Sequence, residues 1–178
     1  LSLAFGQFLL PYFNKPNPAI NIPSVEVVQP IVSQSSKLEK AESGALEWLH
    51  KAQAANGSWI GQEWGADSQY TIGLTGLSLL AFANAEHKSN FAAYLKTVEN
   101  ATRFILENQN ADGSFGPSIN NRLYNQGIAT VALFKVNENY PNLIPTDCLK
   151  QAIKYITLSQ NNMGGWGYSN EKNNSNTA

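Results

Sequence analysis

Apolar and polar positions divide the chain into helical segments of two characters. From Lys37 onward, Leu38, Ala41, Ala45, Trp48, Leu49 and Ala52 recur at helical spacing, with Lys37, Glu39, Lys40 and Glu47 on the other face. That spacing predicts a helix wet on one side and buried on the other. Phe91, Leu95, Val98, Ala101 and Ile105 predict a second such helix. Cys148 to Gln160 predicts a third, with Pro141 and Pro145 breaking the chain before it and Thr146-Asp147 as its N-cap. Between these lie segments of a different kind. Thr71 to Ala83 contains no charge and Gly127 to Val136 is nearly uncharged, and a helix apolar all round must be enclosed by protein or face an apolar cavity. Gly73 and Gly76 lower helix propensity but permit close approach of a neighbouring helix. The expectation is an all-α chain in which wet-sided outer helices alternate with uncharged inner ones.

The turns that end the outer helices repeat. Each follows the order Ala, two residues, an aromatic, Leu or Ile, three residues, Gln, three residues, Gly, one residue, Trp or Phe. The first copy uses Ala45, Trp48, Leu49, Gln53, Gly57 and Trp59. The second uses Ala101, Phe104, Ile105, Gln109, Gly113 and Phe115, and the third Ala152, Tyr155, Ile156, Gln160, Gly164 and Trp166. Six matched positions in three copies mark a repeat protein. The Gly falls where a helix end takes a left-handed residue. The planar Gln amide can bond free backbone groups at the end of a neighbouring helix, with the ring shielding it. Each copy therefore reads as a clamp between adjacent helices.

This pattern resembles the QW repeat of the squalene cyclase and prenyltransferase superfamily (prenyltransferase and squalene oxidase repeat), over about residues 37 to 178. The resemblance implies a terpenoid cyclase-like fold, an α/α toroid of inner and outer helices. The third copy is cut off at Ala178, so a partial toroid belonging to a longer polypeptide is expected. Cyclases of the superfamily protonate their substrate with an Asp-x-Asp-Asp motif, which this chain lacks. Prenyltransferase β subunits bind zinc through Asp, Cys and His. Here Asp147 adjoins Cys148 directly, with His50 and His87 upstream on outer elements, so no metal and no cofactor are expected. Nor does Cys148 open the Cys-Gly-Glu-Gln motif of complement-like thioester domains.

Composition adds little to this. The 178 residues are 43% hydrophobic and 14% charged, enough for one cored domain, and a net charge of −1 gives no sign of a nucleic-acid partner. Cys148 stands alone and cannot form an intramolecular disulfide. Residues 1–13 form an apolar run too short to span a bilayer. The run reads as the end of a membrane helix or an export signal, placing the protein at a membrane or outside the cell; a segment packed onto the domain is the alternative. Residues 14–36 carry Pro16, Pro18, Pro23 and Pro30 and read as an extended linker.

The residues that open the inner helices are the candidates for ligand contact: Trp64, Asp67 and Tyr70 in the first unit, Tyr124, Asn125 and Gln126 in the second. In a toroid they approach the rim of the central cavity; otherwise Tyr70 and Tyr124 pack on the neighbouring clamp and Asp67 caps a helix. No catalytic residue is assigned. Two functions follow from the resemblance. One is a non-catalytic toroid that binds an apolar, possibly isoprenoid, ligand or a partner protein. The other is a terpenoid cyclase or prenyltransferase-like enzyme whose catalytic residues lie outside this sequence.

Overall fold

The computed structural model describes residues 32–62, 65–85, 91–117 and 122–167. The chain divides into two units, Leu1–Lys37 and Leu38–Ala178. The apolar run 1–13, the linker up to Pro30, Trp64 and His87 all lie outside the described residues. Five α-helices are present among the described residues: α1 (Val32–Ala52), α2 (Thr71–Asn84), α3 (Leu95–Glu107), α4 (Arg122–Asn139) and α5 (Thr146–Leu158). Short 3₁₀ turns at Ser68–Tyr70 and Phe91–Tyr94 lead into α2 and α3. No strand occurs among the described residues, only an isolated bridge between Gln109 and Phe115. The chain is all-α, as its periodicity predicts.

The two uncharged segments, α2 and α4, form the most extensive helix pair. Asn125 Nδ2 donates to Gln69 O (2.7 Å) at the start of the pair and Asn139 Nδ2 to Ala83 O (2.7 Å) at its end, so the two helices run in the same direction. Small residues allow the contact. A Cβ added at Gly73 would lie 2.5 Å from Asn125 Oδ1, and one at Gly76 would lie 3.0–3.1 Å from Ile128 and the Ala129 backbone. Helix α3 packs on both α2 and α4, and α5 packs on α4. The core fills the space between them with Leu79 and Phe82 of α2, Val98 and Ile105 of α3, and Leu133 and Val136 of α4, all buried. Trp59, Phe82, Tyr94 and Phe91 form an aromatic chain with successive centroid distances of 6.1, 5.3 and 6.2 Å.

Four expectations are corrected here. Helix α1 begins at Val32, well before Lys37; Ser33-Gln34-Ser35-Ser36 has no apolar rhythm to reveal it, but neither does it contain Gly or Pro to stop a helix. The apolar stripe of α1 is mostly uncovered: Leu38 is 68% and Trp48 54% exposed, Ala41 and Ala45 are exposed, and Leu46 is its buried anchor. Leu95 is exposed because Phe91–Tyr94 is a 3₁₀ turn, whose three-residue period brings Tyr94 rather than Leu95 to the buried side. Finally, Thr146 is the first residue of α5 and Pro145 its N-cap, with no side-chain cap bond. Proline sets the backbone angle for helix entry without a hydroxyl.

The close approach of α2 and α4 makes a testable contrast between glycines. Gly76→Val is expected to cost about 1–3 kcal/mol through overpacking. Gly44→Ala has open space around it and is expected to stabilise by up to about 1 kcal/mol through helix propensity. Denaturant midpoints of the two variants should move in opposite directions.

Candidate functional site

Each repeated turn is built in the same way. In the first, Gly57 N donates to Ala54 O (2.8 Å) and Ala54 N to Ser58 O (2.9 Å), closing a small loop after α1. Gln53 Nε2 then donates both to Gly57 O (3.0 Å) and across to Thr97 O (3.0 Å) in the first turn of α3. In the second, Gly113 N donates to Asn110 O (2.9 Å), and Gln109 Nε2 to Gly113 O (3.4 Å) and to Cys148 O (2.9 Å) in the first turn of α5. The Gln amide thus ties each helix end to the next helix start. It does so by donating to a carbonyl of the helical ladder, not by satisfying the free N–H groups expected from helix-end chemistry.

The glycines have positive φ, +92° at Gly57, +89° at Gly113 and +83° at Gly164. They do not cap the helices; α3 and α5 end at Asn108 and Ser159 with negative φ. Their place is inside the loop, where a Cβ at Gly57 would overlap the Asn100 carbonyl and one at Gly113 the Gln151 carbonyl. Loop and helix backbone meet with no side chain between them.

A further bond anchors each loop to the uncharged helix that follows. Trp59 N donates to Thr75 Oγ1 (3.1 Å), and Phe115 N to Gln126 Oε1 (2.7 Å). The buried sets of α2 and α4 superpose with Gln126 at the place of Ile72 and Ala129 at that of Thr75. A short hydroxyl serves the buried N–H in one repeat, and a longer amide from a turn earlier serves it in the other. Gln126 also donates to Gly113 O (3.1 Å) and Ala152 O (3.3 Å). Trp59 Nε1 donates back to Leu49 O and Trp166 Nε1 to Ile156 O, each at 2.9 Å. Phe115, lacking a ring donor, is instead fully enclosed.

The candidate rim residues separate. Asn125 and Gln126 are buried and hold structure together, so they are not rim groups; α4 starts at Arg122, so both fall within the helix instead of opening it. Asp67 caps the 3₁₀ turn before α2, accepting from Gln69 N (3.0 Å). Tyr70 is half-buried and Tyr124 is 65% exposed. Trp64 lies outside the described residues. Sequence reading passed over the exposed apolar side chains further along the same helices: Leu77 (51%) of α2 and Val131 (56%) of α4. With Leu74 and Ala81 on α2, and Tyr124 and Ile128 on α4, they form two stripes at helical spacing. Ile128, lying against Gly76, joins the stripes. Beside α2, an apolar cavity of about 310 Å³ is lined by Trp48, Leu49, Trp59, Ile60, Leu74 and Ser78, among others.

Comparison with family models, with curated proteins and with solved structures returned no match. Among the described residues, no three His, Cys, Asp or Glu side chains converge as a metal-binding set, and no helix is long and apolar enough to cross a membrane. His50 Nδ1 lies 2.6 Å from Thr97 Oγ1 and helps join α1 to α3.

One carboxylate in these turns is electrostatically tuned. Asp112 Oδ1 accepts from Ser114 Oγ (2.6 Å) and Ser114 N (3.0 Å), and these bonds, with Arg122 at 3.8 Å, hold its pKa below the usual carboxylate value. Asn56 makes the equivalent bonds to Ser58 in the first turn (2.8 and 3.1 Å) without a charge.

Two outcomes follow. A carboxyl whose pKa is depressed by folding stabilises the fold above its unfolded pKa and loses that contribution as pH falls through its folded value. Asp112→Asn should therefore be close to neutral in stability near pH 7, as Asn56 shows the amide fits, while the midpoint falls less steeply below the ordinary carboxylate range than that of wild type. Gln126→Leu, which strands the buried Phe115 N–H, should cost about 1–3 kcal/mol. Equal denaturant midpoints for wild type and Gln126→Leu would contradict the anchoring role.

Proposed function

We propose that the chain is a non-catalytic helical-repeat domain, part of an α/α toroid of the squalene cyclase and prenyltransferase type, whose uncharged helices bind an extended apolar ligand. The observation that supports this reading is the pair of exposed apolar stripes, Leu74, Leu77 and Ala81 beside Tyr124, Ile128 and Val131. Exposing such side chains costs solvation and leaves them available to a ligand. No charge appears along the second stripe until Lys135, which pairs with Glu138 at 2.9 Å. Burying a methylene there is worth about 0.8 kcal/mol, so affinity grows with chain length. The polar group of Tyr124 then orients one end of the ligand. An isoprenoid is the ligand that the repeat resemblance suggests.

The test is calorimetric titration with a prenyl diphosphate, with squalene in detergent and with a fatty acid. Binding of the isoprenoids in preference to the fatty acid is expected, without turnover. Leu77→Asp and Val131→Asp, at exposed positions, should abolish binding while leaving the helical circular dichroism intact. Absence of binding by all three, or conversion of either isoprenoid, would overturn the proposal.

A further inference from the structure

The third clamp and the first helix are two halves of one contact. Gln160 Nε2 closes its own loop on Gly164 O (2.6 Å), Gly164 N donates to Asn161 O (3.1 Å), and Gly164 has the same positive φ as its counterparts. The clamp is therefore formed. Its outer side is uncovered: Gly164 and Gln160 are exposed, whereas Gly57 and Gly113 are buried against a helix backbone. Among the described residues, a Cβ at Gly164 meets only Gln160 Nε2, at 3.8 Å.

The complementary surface is on α1. Where clamps are engaged, the Gln amide takes Thr97 O or Cys148 O, the Gly lies on Asn100 or Gln151, and the following Ala101 or Ala152 has no exposed surface. In α1 the same register is Ala41, Gly44 and Ala45, followed by Trp48. All four are exposed, and nothing lies within 4 Å of a Cβ at Gly44. The amide grips a carbonyl already in the helical ladder, so the gripped residue need not be at a helix start, and Ala41 within α1 serves as well as Thr97. Small residues at all three positions leave the backbone as accessible as it is in α3 and α5.

We infer that the third clamp of one molecule grips α1 of a second copy of this chain, through Gln160 on Ala41 O and Gly164 over Gly44, with Ala45 and Trp48 becoming buried. The contact is heterologous, since the two patches are different surfaces of the same chain, so copies add head to tail. Trp48 borders the apolar cavity beside α2, and association would cover that cavity from the same side. The exposed stripes of α2 and α4 take no part in the contact.

The experiment is sedimentation velocity on the full chain across the micromolar to millimolar range. Wild type is expected to associate in a concentration-dependent way. Ala45→Arg places a long charged side chain at a position that is exposed in the single chain but enclosed in every engaged clamp; it should be monomeric with unchanged circular dichroism. Gly164→Val, which forces a β-branched residue to positive φ, should also be monomeric. The decisive arm mixes the two variants: Ala45→Arg keeps an intact clamp and Gly164→Val an intact α1. Their mixture should form a one-to-one heterodimer and nothing larger. A monomeric wild type, association that survives Ala45→Arg, or a mixture that stays monomeric would each overturn the inference. Leu77→Asp, which removes apolar surface from the proposed ligand face, should leave association unchanged, so a failure of ligand binding and a failure of docking are distinguishable.

Discussion

The described part of the structure depends on one contact: a loop glycine with positive φ lying directly on the backbone of the next helix, held there by the amide of the preceding Gln. At Gly57 on Asn100 and Gly113 on Gln151 the approach leaves no room for a Cβ. Such proximity is available only to glycine, and it places the Gln amide within hydrogen-bonding distance of Thr97 O and Cys148 O. The same loop then offers the N–H of the next residue to the uncharged helix behind it, through Thr75 or Gln126. One loop therefore fixes three elements: the helix it ends, the next flanking helix and the intervening helix of the α2–α4 pair. Repeating it sets a nearest-neighbour architecture in which each unit depends on the one beside it.

This arrangement explains why α2 and α4 can be so poor in charge. Their buried faces meet each other through Gly73 and Gly76 and meet the clamps through Thr75 and Gln126. The remaining face carries Leu77 and Val131 into solvent. Polar groups that are buried are paired: Asn125 with Gln69 O, Gln126 with three backbone groups, Thr130 with Gln126 O. Burying these amides unpaired would cost more than the apolar packing returns at those positions. Architecture and exposed surface thus arise from the same residues.

Much of this was legible in the sequence because it rests on spacing. The helical class, the uncharged character of α2 and α4, the close approach at Gly73 and Gly76, and the recurrence of Gln, Gly and aromatic all follow from periodicity. What could not be read depends on partners distant in the chain. Asn125 and Gln126 have the composition of a polar rim, but Gln69 O, Phe115 N and Ala152 O turn them inward. The stripe of α1 has the composition of a buried face, yet Ala45 is exposed while Ala101 and Ala152 are enclosed, because burial there depends on which clamp is engaged. The glycine was placed at a helix cap because left-handed residues are common there; the loop bonds that move it further on are visible only in three dimensions.

The central claim is that these loops are locks and not surface connections. Native-state hydrogen exchange of the Trp59 and Phe115 amides tests it most directly, since loop amides ordinarily exchange by local opening of low free energy. The account predicts that both exchange as slowly as Leu79 and Leu133 in the buried helices, through the same cooperative opening. Fast exchange at Trp59 and Phe115, with Leu79 and Leu133 still protected, would show that the loops open independently and would contradict it.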